Sequence, residues 1–244
     1  MDPAPRPPTP FDSKALDPGR PPQPVRPGLW WFAPSRESQG GSAWWLDLGE
    51  LALLVDCPAW TQANLTFLRQ QADRGVTTWI VLTGREGHGR CRRFQEALDW
   101  PVLVQEQEAY LLPGVRRLLP FASEHQLAEG VRLLWTPGPS PGASVLHVTP
   151  MDGLFCGRLL VPVGPGQLAP LRSRRTFHWP RQLASLTRLR AWLPTGSPAW
   201  IACGAGLGGL RGEKLVPDGA GLLAELERQF GGAMGPPAAD WGPM

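Results

Sequence analysis

The sequence predicts a mixed α/β (α+β) fold, a four-layer αββα sandwich, from three observations. Strand patterns dominate two halves of the chain, and helical patterns accompany the strands in each half. The 244 residues are 42% hydrophobic and 18% charged, which is enough apolar material to bury the core of one compound domain. Much of the Pro lies in the first 27 residues. We therefore expect one globular unit between two tails.

The tails are defined by composition. Residues 1–27 are rich in Pro and poor in apolar side chains, so burial there does not offset the entropy of ordering the chain. After the last helical pattern, Gly and Pro return from Gly231 onward. The expected division is a disordered tail at residues 1–27, a folded domain at residues 28–231 and a flexible tail at residues 232–244.

In the first half, apolar and β-branched runs bounded by turns predict strands, and apolar residues spaced three to four apart predict helices. Strands are predicted at residues 29–32, 42–48, 51–56, 76–82 and 102–104. Helices are predicted at residues 60–74, 88–98 and 106–112. The last of these helices stops at Pro113 and Gly114 because neither residue favours its continuation.

The second half repeats the mixture of strands and helices. Strands are predicted at residues 131–136, 144–149, 154–156 and 200–203. A helix is predicted at residues 180–193, with Pro180 in its first turn, where the missing N–H costs nothing. A final amphipathic helix is predicted at residues 219–230, with Leu and Phe along one side.

Cysteine spacing and hydropathy indicate where the protein resides. The four cysteines form no CxxC pair and no zinc-ribbon spacing, which favours free thiols in a reducing compartment. Apolar runs are shorter than the ~20 residues that a membrane span needs, and the N-terminus lacks the apolar stretch of a signal peptide. We expect a soluble, cytoplasmic protein without a membrane span.

The net charge of +3 is too small to indicate nucleic acid by itself, but its distribution is uneven. The segment from residue 172 to residue 190 contains six arginines and no acidic residue. The arginines are Arg172, Arg174, Arg175, Arg181, Arg188 and Arg190. A solvent-exposed helix face is the favoured interpretation, and an anion-binding patch is the alternative.

Four turn segments carry the most specific signal in the chain. They are Thr-Gly-Arg-Glu-Gly-His-Gly at residues 83–89, Thr-Pro-Gly-Pro-Ser-Pro-Gly at 136–142, Phe-Cys-Gly-Arg at 155–158 and Cys-Gly-Ala-Gly at 203–206. In order and turn chemistry they resemble the metal-binding loops of the metallo-β-lactamase superfamily. In that family, His and Asp side chains in these loops bind one or two zinc or iron ions.

The resemblance covers residues 28–210, but nearly all the matched ligand positions have changed. They hold Gly84, Glu86, His88, Gly89, Pro139, Arg158 and Ala205. Together with the segments at residues 108–113 and 177–180, this pattern resembles a ligand-depleted group of the fold found in cyanobacteria. The resemblance implies a protein without a metal cofactor that has lost catalysis and acts as a binding or scaffold protein, with another protein as its partner.

Two alternatives from other functional classes remain open. A catalytic zinc needs about three protein ligands, and Glu86 and His88 supply two. A thiol from Cys91 or Cys203 would complete a rebuilt zinc or iron site, giving a residual hydrolase of thioesters, lactones or phosphoesters. The second alternative is RNA binding, in which the arginines of residues 172–190 contact phosphates and binding falls with salt.

The residues expected to line the vestigial site are Arg85, Glu86, His88, Arg158 and His178. By the resemblance, Arg158 points to the centre of the former metal cluster. The favoured interpretation is that Arg158 fills that cavity and forms a structural ion pair with Glu86. The alternative is a loose pair, so that Arg158, Arg85 and His88 bind a ligand carboxylate or phosphate.

Two further side chains have alternative roles at this site. His178, next to a predicted helix, either lines the cleft or is satisfied by local backbone, and the second interpretation is favoured. Cys156 and Cys203 lie in or beside the matched loops, where His88 would activate a thiol nucleophile. Buried cysteines more often act as small hydrophobic residues, so a structural role is favoured.

Overall fold

Alternation along the strands divides the core into two hydrophobic clusters. The protein is described by a computed structural model that covers residues 16–230. On β3 (Ala43–Asp47), Trp44 packs into one cluster and its neighbour Trp45 into the other. Because successive side chains of a strand point to opposite faces, this sheet is covered on both sides.

The first sheet has seven strands in sequential order, antiparallel from β1 to β4 and parallel from β4 to β7. The other strands are β1 (Gln23–Arg26), β2 (Leu29–Phe32), β4 (Leu51–Val55), β5 (Thr77–Val81), β6 (Val102–Gln105) and β7 (Leu118–Phe121). Helices connect the parallel strands, namely α1 (Gln62–Ala72), α2 (Cys91–Leu98) and α3 (Glu106–Ala109). Leu68 of α1 and Phe94 of α2 are fully buried in the cluster on the outer face of this sheet.

The second sheet has six strands in the order β15-β14-β11-β10-β9-β8. They are β8 (Glu124–Ala128), β9 (Val131–Trp135), β10 (Ser144–Val148), β11 (Gly153–Phe155), β14 (Trp200–Ala202) and β15 (Val216–Pro217). A separate hairpin is formed by β12 (Val161–Gly164) and β13 (Gln167–Ala169), and the remaining helices are α4 (Trp179–Trp192) and α5 (Gly219–Phe230).

The larger cluster joins both sheets to the second pair of helices. It contains Leu46 and Val81 from the first sheet, Leu146 from the second sheet, Leu186 of α4 and Leu223 of α5. Burial of apolar surface contributes about 25 cal/mol per Å², so such a core is the main source of stability. The predicted four-layer αββα sandwich is confirmed.

The boundary of the predicted N-terminal tail was wrong. β1 lies inside residues 1–27 and pairs with β2, and the carbonyls of Asp17 and Pro18 accept hydrogen bonds from amides at the start of α1. A Pro-rich stretch is tolerated here because β1 is an edge strand and one side of its backbone needs no partner. The remainder of that predicted tail, residues 1–15, and the predicted tail at residues 232–244 lie outside the described residues.

None of the helices between residues 16 and 230 is both long enough and apolar enough to cross a membrane.

Candidate functional site

The four matched turn segments meet at one edge of the sandwich. The Thr83 carbonyl accepts a hydrogen bond from the amide of Ser144, next to the second segment. The Gly157 carbonyl accepts one from the amide of Gly204, which joins the third segment to the fourth. A Cβ at Gly157 would lie 2.8 Å from Oγ1 of Thr83, so the glycine lets the first and third segments approach closely. The four segments, which are distant in sequence, therefore lie together at this edge.

Asp56, directly after β4, forms the base of this edge. Its two carboxylate oxygens accept hydrogen bonds from the amide and the hydroxyl of Thr83, at 2.8 and 2.6 Å. Burial raises the pKa of the Asp56 carboxyl from 3.8 to about 6, and the Thr83 donors act in the opposite direction. Asp56 therefore holds the first segment in place and titrates near neutral pH.

Glu86 is buried in a single 3-10 turn, Arg85–Gly87, and pairs with Arg85. The Nε atom of Arg85 lies 3.5 Å from Oε1 of Glu86. The predicted ion pair between Glu86 and Arg158 was therefore wrong. The neighbouring residue in the chain supplies the cation instead, since both side chains belong to the same turn.

Arg158 is partly buried and donates to backbone carbonyls. Its Nη2 atom lies 3.2 Å from the carbonyl oxygen of Ser38 and 2.9 Å from that of Gln39. These carbonyls belong to the turn between β2 and β3, where Gln39 has a left-handed φ of 51°. Arg158 therefore ties the third segment to this turn, and no carboxylate among the described residues forms an ion pair with it.

His88 faces Glu108 below the first segment. The Nε2 atom of His88 lies 3.6 Å from Oε2 of Glu108, beyond hydrogen-bonding distance, and neither atom has another partner among the described residues. The other oxygen of Glu108 accepts the amide of Gly142 at 2.9 Å. Burial lowers the pKa of His88 from 6.5 to about 4 and raises the pKa of Glu108 above its usual value. Both side chains are therefore biased toward their neutral forms.

His178 lies at the N-terminus of α4 and is exposed to solvent. Its Nδ1 atom accepts the backbone amide of Arg181 at 3.2 Å, so it caps the helix. The favoured interpretation of a local backbone role is the one the geometry supports. His178 is absent from the residues that line the cleft.

The remaining donors do not fit the zinc or iron of the resembling family. Between residues 16 and 230, no group of three or more His, Cys, Asp or Glu side chains is placed to hold a metal ion. Cys203 instead lies beside Cys156, with 3.6 Å between the sulfurs. The hydrogen bond between these thiols and burial raise the pKa of Cys203, which disfavours the nucleophilic thiolate.

The cleft has a closed floor and an open outer part. The floor, lined by Asp56, Glu86, Ser140 and Arg158, leaves about 10 Å³ for the centre of a water molecule, which is room for about one water. Outside it, a pocket of about 180 Å³ is lined by Glu86, Arg158 and Arg175. A further open pocket of about 500 Å³ also contacts Arg175. Of the predicted site residues, Glu86 and Arg158 line the cleft.

Three residues at the site, Asp56, Glu108 and Arg175, were not predicted as site residues from the sequence. A carboxylate directly after an apolar strand was the available signal for Asp56, and none was assigned to Arg175 beyond membership of the basic segment. Glu108 lay in a segment used for the resemblance, but its partner His88 is 20 positions away in sequence. Contacts of that kind depend on how β6 and α3 pack.

Comparison with known proteins supports the fold. No protein-family model and no curated protein sequence matches the chain. The solved structure of the DIM-1 metallo-β-lactamase is similar with a TM-score of 0.62 and 14% identity, covering 90% of this chain and 99% of that chain.

Two other solved structures agree. An archaeal metallo-β-lactamase superfamily protein from Sulfolobus tokodaii has a TM-score of 0.56 and 17% identity, covering 85% of this chain and 87% of its own. FIM-1 from Pseudomonas aeruginosa, a metallo-β-lactamase solved in a mono-zinc form, has a TM-score of 0.58 and 14% identity, covering 91% of this chain and 100% of its own. At these identities the likeness concerns the fold. The chain is a metallo-β-lactamase-fold protein.

Proposed function

We propose that this protein is a metal-free, non-catalytic member of the metallo-β-lactamase fold that acts as a binding or scaffold protein with a protein partner. The observation that carries the proposal is the chemistry of the matched ligand positions. Gly84, Pro139 and Ala205 offer no metal-binding side-chain atom, and the guanidinium of Arg158 is a cation without a free lone pair.

The two candidate ligands that persist each lie beside a neighbouring ionisable side chain. Glu86 pairs with Arg85, and His88 faces the buried carboxyl of Glu108. A catalytic zinc requires about three protein ligands and an open position for water. The small closed floor and these internal contacts support a loss of hydrolysis.

An exposed apolar and basic segment beside the cleft supports a protein partner. Val163, Leu171 and Phe177 are large hydrophobic side chains exposed to solvent, and Arg172 and Arg174 lie in the same stretch of chain. Exposed apolar residues with a charged surround are typical of protein interaction surfaces. We expect the partner to present apolar side chains together with acidic ones.

Ion pairs on α4 favour a protein partner over RNA. On α4, Arg188 pairs with Glu124 at 3.5 Å and Arg190 pairs with Glu227 at 3.6 Å. The arginines of residues 172–190 therefore do not form one uncompensated basic face. Phosphate-backbone binding depends on the number of cations free to neutralise phosphates.

Loss of catalysis is tested by hydrolysis assays on a lactone, a thioester and a phosphoester with added Zn²⁺ or Fe²⁺. The matched control is the double variant E86Q/H88Q, which removes both remaining candidate ligands. We expect the wild type and the double variant to give the same rate as buffer with metal. A metal-dependent turnover that the double variant lacks would contradict the proposal and support the residual hydrolase.

The partner surface is tested by capture from cell extract with two bait variants. L171S/F177S changes the exposed apolar residues beside the cleft, and Y110S changes an exposed aromatic residue after α3. We expect a partner that is bound by the wild type and by Y110S and lost from L171S/F177S. Equal capture by all three baits would remove this surface from the proposal.

A further inference from the structure

We propose that the outer part of the cleft is a binding site for a small organic phosphate monoester, whose phosphate lies between Arg158 and Arg175. This inference rests on the proposed function, because it requires a cleft in which an arginine, and not a metal ion, meets the ligand.

One residue fixes both guanidinium groups. Nη2 of Arg158 donates to the backbone carbonyl of Gln39 at 2.9 Å, and Nη1 of Arg175 donates to the side-chain Oε1 of Gln39 at 2.7 Å. Both arginines line the pocket of about 180 Å³. Their geometry is therefore set before a ligand arrives, which reduces the entropy lost on binding.

Most donors of the two arginines have no partner within residues 16–230. A guanidinium has five N–H donors in a planar fork. Among the described residues, Arg158 forms hydrogen bonds through Nη2 and Arg175 through Nη1. Nε and the second Nη of each group remain for bidentate contact with an oxyanion, which is the geometry in which Arg binds phosphate most strongly.

The charge of the pocket favours a dianion. Its acidic residue, Glu86, is paired with Arg85, whereas Arg158 and Arg175 form no ion pair among the described residues. A phosphate monoester carries about −1.5 to −2 charges at pH 7 and matches two guanidinium groups. A monocarboxylate would neutralise one of the two.

The pocket is sized for a small molecule. Sites for drug-sized ligands have volumes of about 300–1,000 Å³. This pocket has about 180 Å³, with Val161 and Leu171 as apolar lining and Ser173 and Thr176 as polar lining. The phosphate would contact the arginines while a compact organic group contacts the apolar residues. A small phosphate monoester therefore fits better than a long or polymeric ligand.

The proposal is tested by calorimetric titration of the full chain with phenyl phosphate. R175Q and R158Q each remove one guanidinium, and R174Q removes the same charge from an exposed neighbour that does not line the pocket. We expect saturable one-to-one binding by the wild type, about tenfold or more weaker binding by R158Q and R175Q, and about twofold or less change in R174Q. Benzoate is expected to bind more weakly than phenyl phosphate.

The results that would contradict the phosphate site differ from those that would contradict the proposed function. A metal-free wild type that shows no saturable binding, or an R174Q loss equal to the R175Q loss, overturns the phosphate site and leaves the non-catalytic protein standing. Metal-dependent hydrolysis overturns the proposed function itself. R175Q keeps the test valid if R158Q fails to fold, because Arg175 is exposed.

A phosphoserine peptide serves as the second probe and identifies the source of the phosphate. Binding equal to or weaker than that of phenyl phosphate supports the small-molecule site. If the peptide binds at least about tenfold more tightly than phenyl phosphate, the phosphate belongs to a partner protein and the small-molecule site is overturned.

Discussion

The floor of the cleft and its outer rim differ in how their ionisable side chains are placed. Asp56 at the floor, and His88 and Glu108 below the first segment, are buried, and burial shifts the pKa of each toward its neutral form. At the rim, Arg158 donates to a backbone carbonyl, Arg175 donates to a side-chain amide oxygen, and both line the outer pocket. Substitutions of these buried residues should therefore change stability, and those at the rim should change binding.

The largest expected effect is the contribution of His88 to acid stability. Its pKa is about 4 in the folded protein and 6.5 in its unperturbed form, so the unfolded chain binds the proton more tightly. Stability is therefore lost as pH falls from 6.5 through 4, by about 3 kcal/mol. Because Asp56 contributes with the opposite sign over the same range, we compare variants: between pH 7.5 and pH 4, urea unfolding should show the wild type losing about 3 kcal/mol more stability than H88Q. Equal losses in H88Q and the wild type would place His88 in contact with solvent.

Asp56 should show the opposite sign. Its folded pKa of about 6 lies above 3.8, so the folded state binds the proton more tightly and ionisation of the carboxyl destabilises it. The contribution is present below pH 3.8 and is lost as pH rises through 6, again by about 3 kcal/mol. D56N keeps an oxygen acceptor for the Thr83 amide but does not titrate. As pH rises from 4 to 7.5, the free energy of unfolding should rise less in the wild type than in D56N, by about 2 to 3 kcal/mol, and parallel curves would contradict the buried carboxyl.

At the rim, R158M should change the free energy of unfolding by about 1 kcal/mol or less. Arg158 makes two hydrogen bonds to carbonyls, each worth about 1 kcal/mol net, and removing a partly buried cation offsets part of that loss. Thermal and urea unfolding at pH 7.5 measure the change. A loss above about 3 kcal/mol would make Arg158 a structural residue like those of the floor.

The smallest effect is expected for the thiols. Burial raises the pKa of Cys57, the hydrogen bond to Cys156 and burial raise that of Cys203, and all four cysteines are buried. We expect little alkylation by iodoacetamide in the folded protein and modification of all four thiols in urea. Rapid modification of one thiol that C203S abolishes would instead support a cysteine nucleophile.

The central strands and the αββα order were predictable from the sequence, whereas several edge elements were not. β4 is an apolar run buried on both faces, and at the end of β5 Ile80 and Val81 pack into opposite clusters, so both patterns are strong. β1 and β8 lie at sheet edges and carry polar or Pro residues, so they lack such a pattern. The small hairpin of β12 and β13 also escaped prediction, because its four- and three-residue strands are too short for a periodic signal.

At the site, the sequence located the segments but not the side-chain partners. Glycines and prolines at fixed spacing specify turns, and the turns meet as expected. The pairing of Glu86 was assigned to Arg158, whereas Arg85 lies in the same turn and forms the ion pair. Arg175 reaches the cleft through its contact with Gln39, 136 positions earlier in the chain, which local patterns do not encode.

The metal content of the purified protein decides whether this cleft is metal-free, as proposed. The protein is produced in medium supplied with zinc and iron, purified without a metal-binding tag and analysed by elemental mass spectrometry, with E86Q/H88Q as the matched control. We expect far less than one metal ion per chain and equal values for both proteins, because two candidate ligands do not make a site. About one zinc or iron per wild-type chain, lost in the double variant, would contradict it.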